Sequence, residues 1–173
     1  MRFPLVTLLL LAGASIPAAA VQEFYIGEPI VKEGMQIVPN YLTGVEMDHM
    51  PSGMGMSKDS VHLEADVHAT KDEAHGFPED AWIPDLDIKY QLTKDGQPTY
   101  KKTGILFAMT AKDGPHYANN VDMAGPGTYH LMYIISPPSG HGFIRHVDKA
   151  SGVPDWWKPI NLTWSFSYPS KTK

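Results

Sequence analysis

Hydrophobic and polar side chains alternate along residues 61–68, and this is the most informative pattern in the chain. In a β-strand, successive side chains point to opposite faces of the sheet. One face of this segment therefore carries only aliphatic residues, whereas the other carries His62, Glu64, Asp66 and His68. Imidazole and carboxylate groups are common ligands of divalent metals. The pattern fits two interpretations: a metal-binding face, or the charged outer face of an ordinary antiparallel sheet.

Short segments rich in β-branched and aromatic residues recur along the rest of the chain, separated by turn residues. The pair Asp95 and Gly96 predicts a hairpin with a type I′ turn, and residues 112–115 predict a second turn. Seven to nine short strands with frequent turns predict an all-β fold, an immunoglobulin-like antiparallel β-sandwich. We predict the strands at about residues 24–31, 35–42, 60–70, 82–92, 99–110, 116–121, 127–136 and 160–168.

The first 20 residues differ from the rest of the chain. They contain Arg2, an apolar run over residues 5–12, and three alanines at residues 18–20. A basic start, a short apolar centre and small residues at the end are typical of a cleaved secretory signal peptide, and the run is too short to span a bilayer. We therefore expect cleavage after Ala20, a single domain over residues 21–173, and an exported product without stable membrane insertion.

The amino-acid composition limits which partners and which metal sites this chain can have. The formal net charge is −5 and no basic cluster is present, which argues against nucleic acid as a partner. There is no Cys, so thiolate metal sites and Cys-bound iron–sulfur clusters are excluded. Eight His and nine Met residues, with Asp and Glu, remain as metal ligands. The chain has no Gly-x-Ser-x-Gly and no phosphate-binding glycine motif, so nucleophilic hydrolysis finds little support.

Two further segments offer metal ligands. Met109 and His116 flank the second predicted turn and could reach one ion, although a Met that follows a hydrophobic strand is more often a core residue. Asp113 lies in the turn between them. His141 and His146 belong to a long loop, where a histidine is often simply solvated but where sites are also frequently built.

A loop rich in Gly, Pro and Ser covers residues 47–56 and carries four methionines. Thioethers prefer soft metals such as Cu(I), so this loop could receive copper. The alternative, which we prefer from the sequence alone, is an adaptable hydrophobic contact surface, for example at a subunit interface.

Three motifs together resemble the bacterial periplasmic iron-transport protein family, whose genes commonly accompany that of a high-affinity iron permease of the inner membrane. They are residues 59–69, Met109 with His116 seven residues later, and residues 145–148 followed by the tryptophan pair at 156–157. The resemblance covers about residues 24–168. It implies an immunoglobulin-like sandwich, a homodimer, bound copper, and iron as the cargo.

The resemblance also implies which residues form the site: a copper site of His62, Met109, His116 and His146, with Glu64 and Asp113 as nearby acidic residues. Imidazoles suit Cu(II) and a thioether suits Cu(I), whereas carboxylates are hard ligands better suited to iron. On this assignment, Asp66 and His68 are expected to lie outside the copper ligands.

The leading hypothesis is a periplasmic metal-binding protein that captures iron, with copper bound nearby, and supplies or prepares it for an inner-membrane permease. An alternative from another class is a copper-dependent redox enzyme that acts on iron during uptake. A third interpretation is a β-sandwich interaction module that binds no metal.

Overall fold

The computed structural model describes residues 21–55 and 57–170. The predicted signal peptide and Met56 lie outside these residues. Within them, no helix is long and apolar enough to cross a membrane, and nine β-strands are found, with a 3-10 helical turn at Pro138–His141. The strands are β1 (Gln22–Tyr25), β2 (Ile30–Lys32), β3 (Met35–Thr43), β4 (Ser60–Ala69), β5 (Asp87–Lys94), β6 (Lys101–Ala111), β7 (Gly114–Asp122), β8 (Gly127–Ser136) and β9 (Ile160–Tyr168).

The paired strands run antiparallel in the order β1-β3-β4-β7-β6-β5-β8-β9, with β2 beside β3. Strand β6 belongs to both halves of this arrangement, because residues 101–106 pair with β5 and residues 107–111 pair with β7. We call β1 to β4, β7 and the second half of β6 the first sheet. The second sheet contains β5, β8, β9 and the first half of β6. The predicted all-β, immunoglobulin-like antiparallel β-sandwich is confirmed.

The aliphatic face of β4 lies in the core between the two sheets. At most 2% of the residue is exposed for Val61, Leu63, Ala65 and Val67. The hydroxyl of Tyr133, from β8 of the second sheet, donates a hydrogen bond to the backbone carbonyl of Glu64 at 3.0 Å. Because a buried hydroxyl without a partner is costly, this bond ties the second sheet to the strand that carries Glu64.

Two predicted strands are shorter in the structure than in the sequence interpretation. The segment predicted at 24–31 is divided into β1 and β2. Gly27 lies between them, where a Cβ atom would come within 2.8 Å of the Trp164 ring, so the chain leaves the sheet to pack over that ring. Strand β5 begins at Asp87, not near residue 82. Pro84 has no N–H to pair, and Asp85 has a left-handed φ of 58°, so neither continues a strand.

The hairpin at Asp95 and Gly96 joins β5 to β6 as predicted, but its turn is not type I′. A type I′ turn needs a positive φ at both central residues, and of this pair only Gly96 has one, at 70°. The connection spans residues 95–100. The second predicted turn is a tight one, because Ala111 and Gly114 are paired across residues 112–113.

Candidate metal centre

The outer face of the first sheet carries the candidate metal ligands. His62 and Glu64 point there because they alternate with the core residues of β4. His116 comes to the same face from β7, which pairs with β4. These three side chains are not on a solvated exterior: His62 is 4% exposed, Glu64 8% and His116 6%.

The three side chains are close enough to bind one ion. One ligand atom from each of His62, Glu64 and His116 lies within 4.8 Å of the other two. His116 Nε2 is 3.8 Å from Glu64 Oε2, and the rings of His62 and His116 meet edge to face at a centroid distance of 5.9 Å. Metal–ligand bonds of about 2.0–2.2 Å separate two ligand atoms by roughly 3–4 Å. Small side-chain adjustments would therefore suffice to coordinate a metal.

Met109 adds a thioether to this group. It is the direct cross-strand partner of His116 in the β6–β7 hairpin, and its half-buried side chain lines the same cleft as His62 and Glu64. Met109 is therefore not a core residue, which was the alternative interpretation of the sequence. Asp113, in the tight turn of this hairpin, is exposed and also lines the cleft.

The cleft has a volume of about 970 Å³. The loop after β3 forms part of its wall, and through this loop Met47 and Met54 face the candidate ligands. Met50 lies within 3.9 Å of the Asn120 amide nitrogen. The methionine loop of residues 47–55 thus lies beside the candidate ligands.

Hydrogen bonds orient the two imidazoles. The Nδ1–H of His62 donates to Asn120 Oδ1 at 2.7 Å, and the Nδ1 of His116 lies 3.4 Å from the backbone carbonyl of Gly114. In both rings Nδ1 is the donor, which leaves the lone pair on Nε2. Metal-bound histidines usually make such a bond through their other ring nitrogen, so both rings have the tautomer that a metal requires.

Asn120 is a residue of the site that sequence reasoning missed. It is the cross-strand partner of His62, and that pairing joins strands far apart in the chain. The available signal was the pair Asn119 and Asn120 inside a predicted strand, where asparagine is uncommon.

Burial changes the pKa values of His62 and Glu64. Burial lowers the pKa of His62 below its usual value of 6.5, against the opposing effect of the Asn120 hydrogen bond. Burial raises the pKa of Glu64 to about 8, and the nearby Asp66 carboxylate adds to the increase. At neutral pH the metal-free site therefore holds a neutral imidazole and a protonated carboxyl. Binding of a cation would displace that proton.

The pKa of Glu64 predicts how stability depends on pH. Between pH 4.5 and about 8, folded Glu64 retains a proton that the unfolded chain releases, so the free energy of unfolding falls as pH rises. The slope is at most about 1.4 kcal/mol per pH unit. We expect Glu64→Gln to flatten this decline in denaturant unfolding of metal-free protein from pH 6.5 to 8, a range above the usual pKa of His62. Equal slopes for the variant and the native protein in that range would contradict the prediction.

Within one chain, His146 lies apart from the other candidate ligands. It lies on the loop before β9 with a 74% exposed side chain, its Nδ1 is 2.8 Å from Ser151 Oγ, and it does not line the cleft. Ile144 and Val147 beside it are 87% and 75% exposed. Of the six predicted site residues, the structure thus gathers five around one cleft and places His146 elsewhere.

Asp66 and His68, the other polar residues of β4, lie beyond these ligands. Asp66 is half-buried and accepts a hydrogen bond from Asn40 Nδ2 at 3.0 Å. His68 is also half-buried and forms a backbone bridge with Trp82. Neither belongs to the group of three close ligands.

Known proteins resemble this chain along nearly all of its length. The family described as Fe2+ transport protein matches residues 20–170. A UPF0423 protein of Brucella abortus is 44% identical over 160 residues, which are 90% of this chain and 86% of that protein. FetP from uropathogenic Escherichia coli, produced in the periplasm of E. coli, is 39% identical with a TM-score of 0.78, over 85% of this chain and 96% of that one.

A second solved structure is that of copper-reconstituted P19 from Campylobacter jejuni. It is 39% identical with a TM-score of 0.79, over 88% of this chain and 99% of that one. Copper-bound structures also exist for a Glu-to-Gln variant of FetP and for a Met-to-Ile variant of P19. The family match and these relatives agree with the resemblance seen in the motifs: the chain belongs to the Fe2+ transport protein family.

Proposed function

We propose that this chain is a periplasmic copper-binding iron-transport protein, which captures iron and supplies or prepares it for an inner-membrane high-affinity iron permease. The observation that carries the proposal is the buried group of His62, Glu64 and His116, whose ligand atoms lie within 4.8 Å of one another. Family membership and the copper-bound structures of FetP and P19 support it. The signal-like residues 1–20 support export.

The donor set fits copper. Two imidazoles suit Cu(II), and the Met109 thioether suits Cu(I), so the same group can hold either oxidation state. Bound copper would supply a redox-active centre. The protein residues would bind and orient it: His62 and His116 as nitrogen ligands and Met109 as the sulfur ligand, with Asn120 holding the His62 ring.

The carboxylates of Glu64 and Asp113 suit iron, the proposed cargo. Glu64 and Asp113 face the same cleft as the imidazoles and offer hard oxygen atoms, which iron prefers over thioethers. We propose that iron binds on this acidic side of the cleft, beside the copper ligands.

We also propose a homodimer in which the partner's His146 completes the copper site. The family resemblance implies both a dimer and a copper ligand at this position. His146 is exposed and outside the cleft of its own chain, so a second copy is the simplest source of that fourth ligand. The exposed Ile144 and Val147 beside it would be covered in such a contact.

The proposed function is tested in the cell and on the isolated protein. We expect deletion of the gene to slow growth under iron limitation, with recovery when the native gene is restored, and the protein isolated from the periplasm to contain copper. Restoration with a gene encoding His62→Ala and His116→Ala should fail, whereas one encoding His130→Ala, on the outer face of the second sheet, should succeed.

Normal growth of the deletion strain together with metal-free protein would refute iron transport and favour a simple interaction module. Sustained turnover of the iron oxidation state, proportional to the protein concentration, would instead favour the redox enzyme.

A further inference from the structure

The loop that carries His146 packs against a second loop through a buried histidine. The His146 loop (residues 137–159) joins β8 to β9. His75, in the connection between β4 and β5, has a side chain that is only 8% exposed. Its ring stacks on Trp156 at a centroid distance of 4.6 Å and an interplanar angle of 11°, and it meets Trp157 edge to face at 5.3 Å. The imidazole of His75 is therefore part of the surface on which the His146 loop rests.

A buried carboxylate holds His75 in this position. The Glu73 side chain is 1% exposed. Its Oε1 accepts hydrogen bonds from the backbone N–H of His75 at 2.7 Å and from the ring Nδ1–H at 2.8 Å. Its Oε2 accepts a third bond, from the backbone N–H of Phe77 at 2.9 Å. Because a buried carboxylate is costly unless it is hydrogen-bonded, these bonds fix both the backbone around Glu73 and the orientation of the imidazole.

Hydrogen bonds continue from this imidazole to the backbone of His146. The Nε2 atom of His75 lies 3.2 Å from the backbone carbonyl oxygen of Asp155. The Arg145 guanidinium pairs with the Asp155 carboxylate and donates to the backbone carbonyl of Val153 at 3.0 Å. The Val153 N–H in turn donates to the backbone carbonyl of His146 at 3.1 Å. A continuous series of contacts thus joins the buried His75 to the exposed His146.

The ring of His146 is oriented within its own loop. Its Nδ1 lies 2.8 Å from Ser151 Oγ, and that hydroxyl donates to Asp148 Oδ2 at 2.7 Å. A hydroxyl has a single proton to donate, so Ser151 accepts from the Nδ1–H of His146 and the lone pair of the ring is on Nε2. Metal-bound histidines usually donate through their other ring nitrogen in this way. His146 therefore has the tautomer that a metal requires, and the position of its loop decides where Nε2 can reach.

We propose that His75, held by Glu73, is a positioning residue for the copper site, because it fixes the loop from which His146 reaches the copper of the partner subunit. The inference rests on the proposed function, in which His146 of one chain completes the site in the cleft of the other. His75 does not line the cleft, so it acts only through the His146 loop. A loop that is already held in its bound conformation loses less conformational freedom on binding, which raises the affinity.

The test uses mixed dimers, in which the two chains have separate tasks. One chain carries His62→Ala with His116→Ala and supplies only His146, whereas the other carries His146→Ala and supplies the cleft. We expect His75→Ala in the first chain to weaken Cu(II) binding at the single complete site by about threefold or more, measured by competition with a chelator. The same change in the second chain should leave the affinity unchanged, because that chain contributes no His146.

This arrangement separates positioning from a general loss of stability. Destabilisation by His75→Ala would act from either chain, so equal effects from the two chains would overturn the inference, as would native affinity in both cases. His75→Phe keeps a ring against Trp156 but cannot donate to Glu73, and it guards against misfolding of the alanine variant. It should also act only from the chain that supplies His146. The matched control is His130→Ala, which should change nothing in either chain.

Electron paramagnetic resonance gives a second measure. Copper in the native dimer is expected to show nitrogen couplings from three imidazoles, and the His146→Ala homodimer from two. The spectrum of the His75→Ala homodimer should contain the signal of His146→Ala beside the native one, because the loop presents His146 in only part of the molecules. A purely native spectrum would contradict the inference.

Failure of this inference is distinguishable from failure of the proposed shared site. Native copper affinity in the His146→Ala homodimer would refute the shared site and the inference with it. Weakened binding by His146→Ala, together with native binding by His75→Ala and His75→Phe, would refute the inference alone.

Discussion

Changing His62 and His116 together to Ala should lower the affinity of the protein for Cu(II) by more than about a hundredfold. Both imidazoles are buried and lie in the cleft, and each offers a ring nitrogen within 4.8 Å of the other ligand atoms. Loss of an outer-shell partner alone typically costs about 10–100-fold in metal affinity, so loss of two direct ligands should cost more. Competition titration against a chelator of known affinity measures the effect.

The control for this double variant is His130→Ala. His130 lies on the outer face of the second sheet, where it contacts Asp95 and Ser165, so its loss should leave copper binding unchanged. Far-ultraviolet circular dichroism and denaturant unfolding test whether the double variant is folded. A folded double variant with native copper affinity would show that the metal ligands lie elsewhere.

A mixture of two defective proteins should regain native copper affinity at one site in each mixed dimer if His146 acts across a dimer. His146→Ala is expected to weaken copper binding about tenfold or more. The double variant at His62 and His116 lacks both imidazoles of the cleft but retains His146. In a mixed dimer, the first chain supplies the cleft and the second supplies the partner's His146, so one complete site forms. Copper titration of the mixture, after the subunits have exchanged, measures the recovery.

Dilution gives an independent measure of the same arrangement. Below the dissociation constant of the dimer, the native protein should lose the contribution of His146, whereas His146→Ala should bind copper equally well at all protein concentrations. His141→Ala, at another exposed histidine of the same loop, is the matched control. Sedimentation that shows only monomers at micromolar concentration, or a mixture that never recovers, would refute the shared site.

The sequence predicted the elements of the site that depend on local geometry. Alternation along residues 61–68 placed His62 and Glu64 on one face because the strand period is a property of the backbone alone. The short turn between Met109 and His116 predicted that these residues could meet, and they are paired across a two-residue connection. The fold class followed from the number and spacing of strands and turns, and the structure confirms it.

Other features depend on residues that are distant in the chain. The sequence alone left a charged outer face as an alternative for β4, but His62 and Glu64 are buried there because other segments surround the cleft, including Met47 and Met54 of the loop after β3. That burial is the main cause of the pKa of about 8 for Glu64. No local pattern contains this information, because it depends on how a loop with no regular period packs on a sheet.

The sequence by itself determined that the chain is an antiparallel β-sandwich, and its resemblance to a known family implied that His62, Glu64, Met109 and His116 are candidates for one metal site. Only the tertiary structure decided that β7 lies beside β4, so that Asn120 orients His62 and Asn40 faces Glu64. It also decided that His146 lies apart from the other ligands of its own chain. The physical reason is that alternation and tight turns are set by neighbouring residues, whereas strand register and burial are set by contacts between strands and loops that are far apart in the sequence.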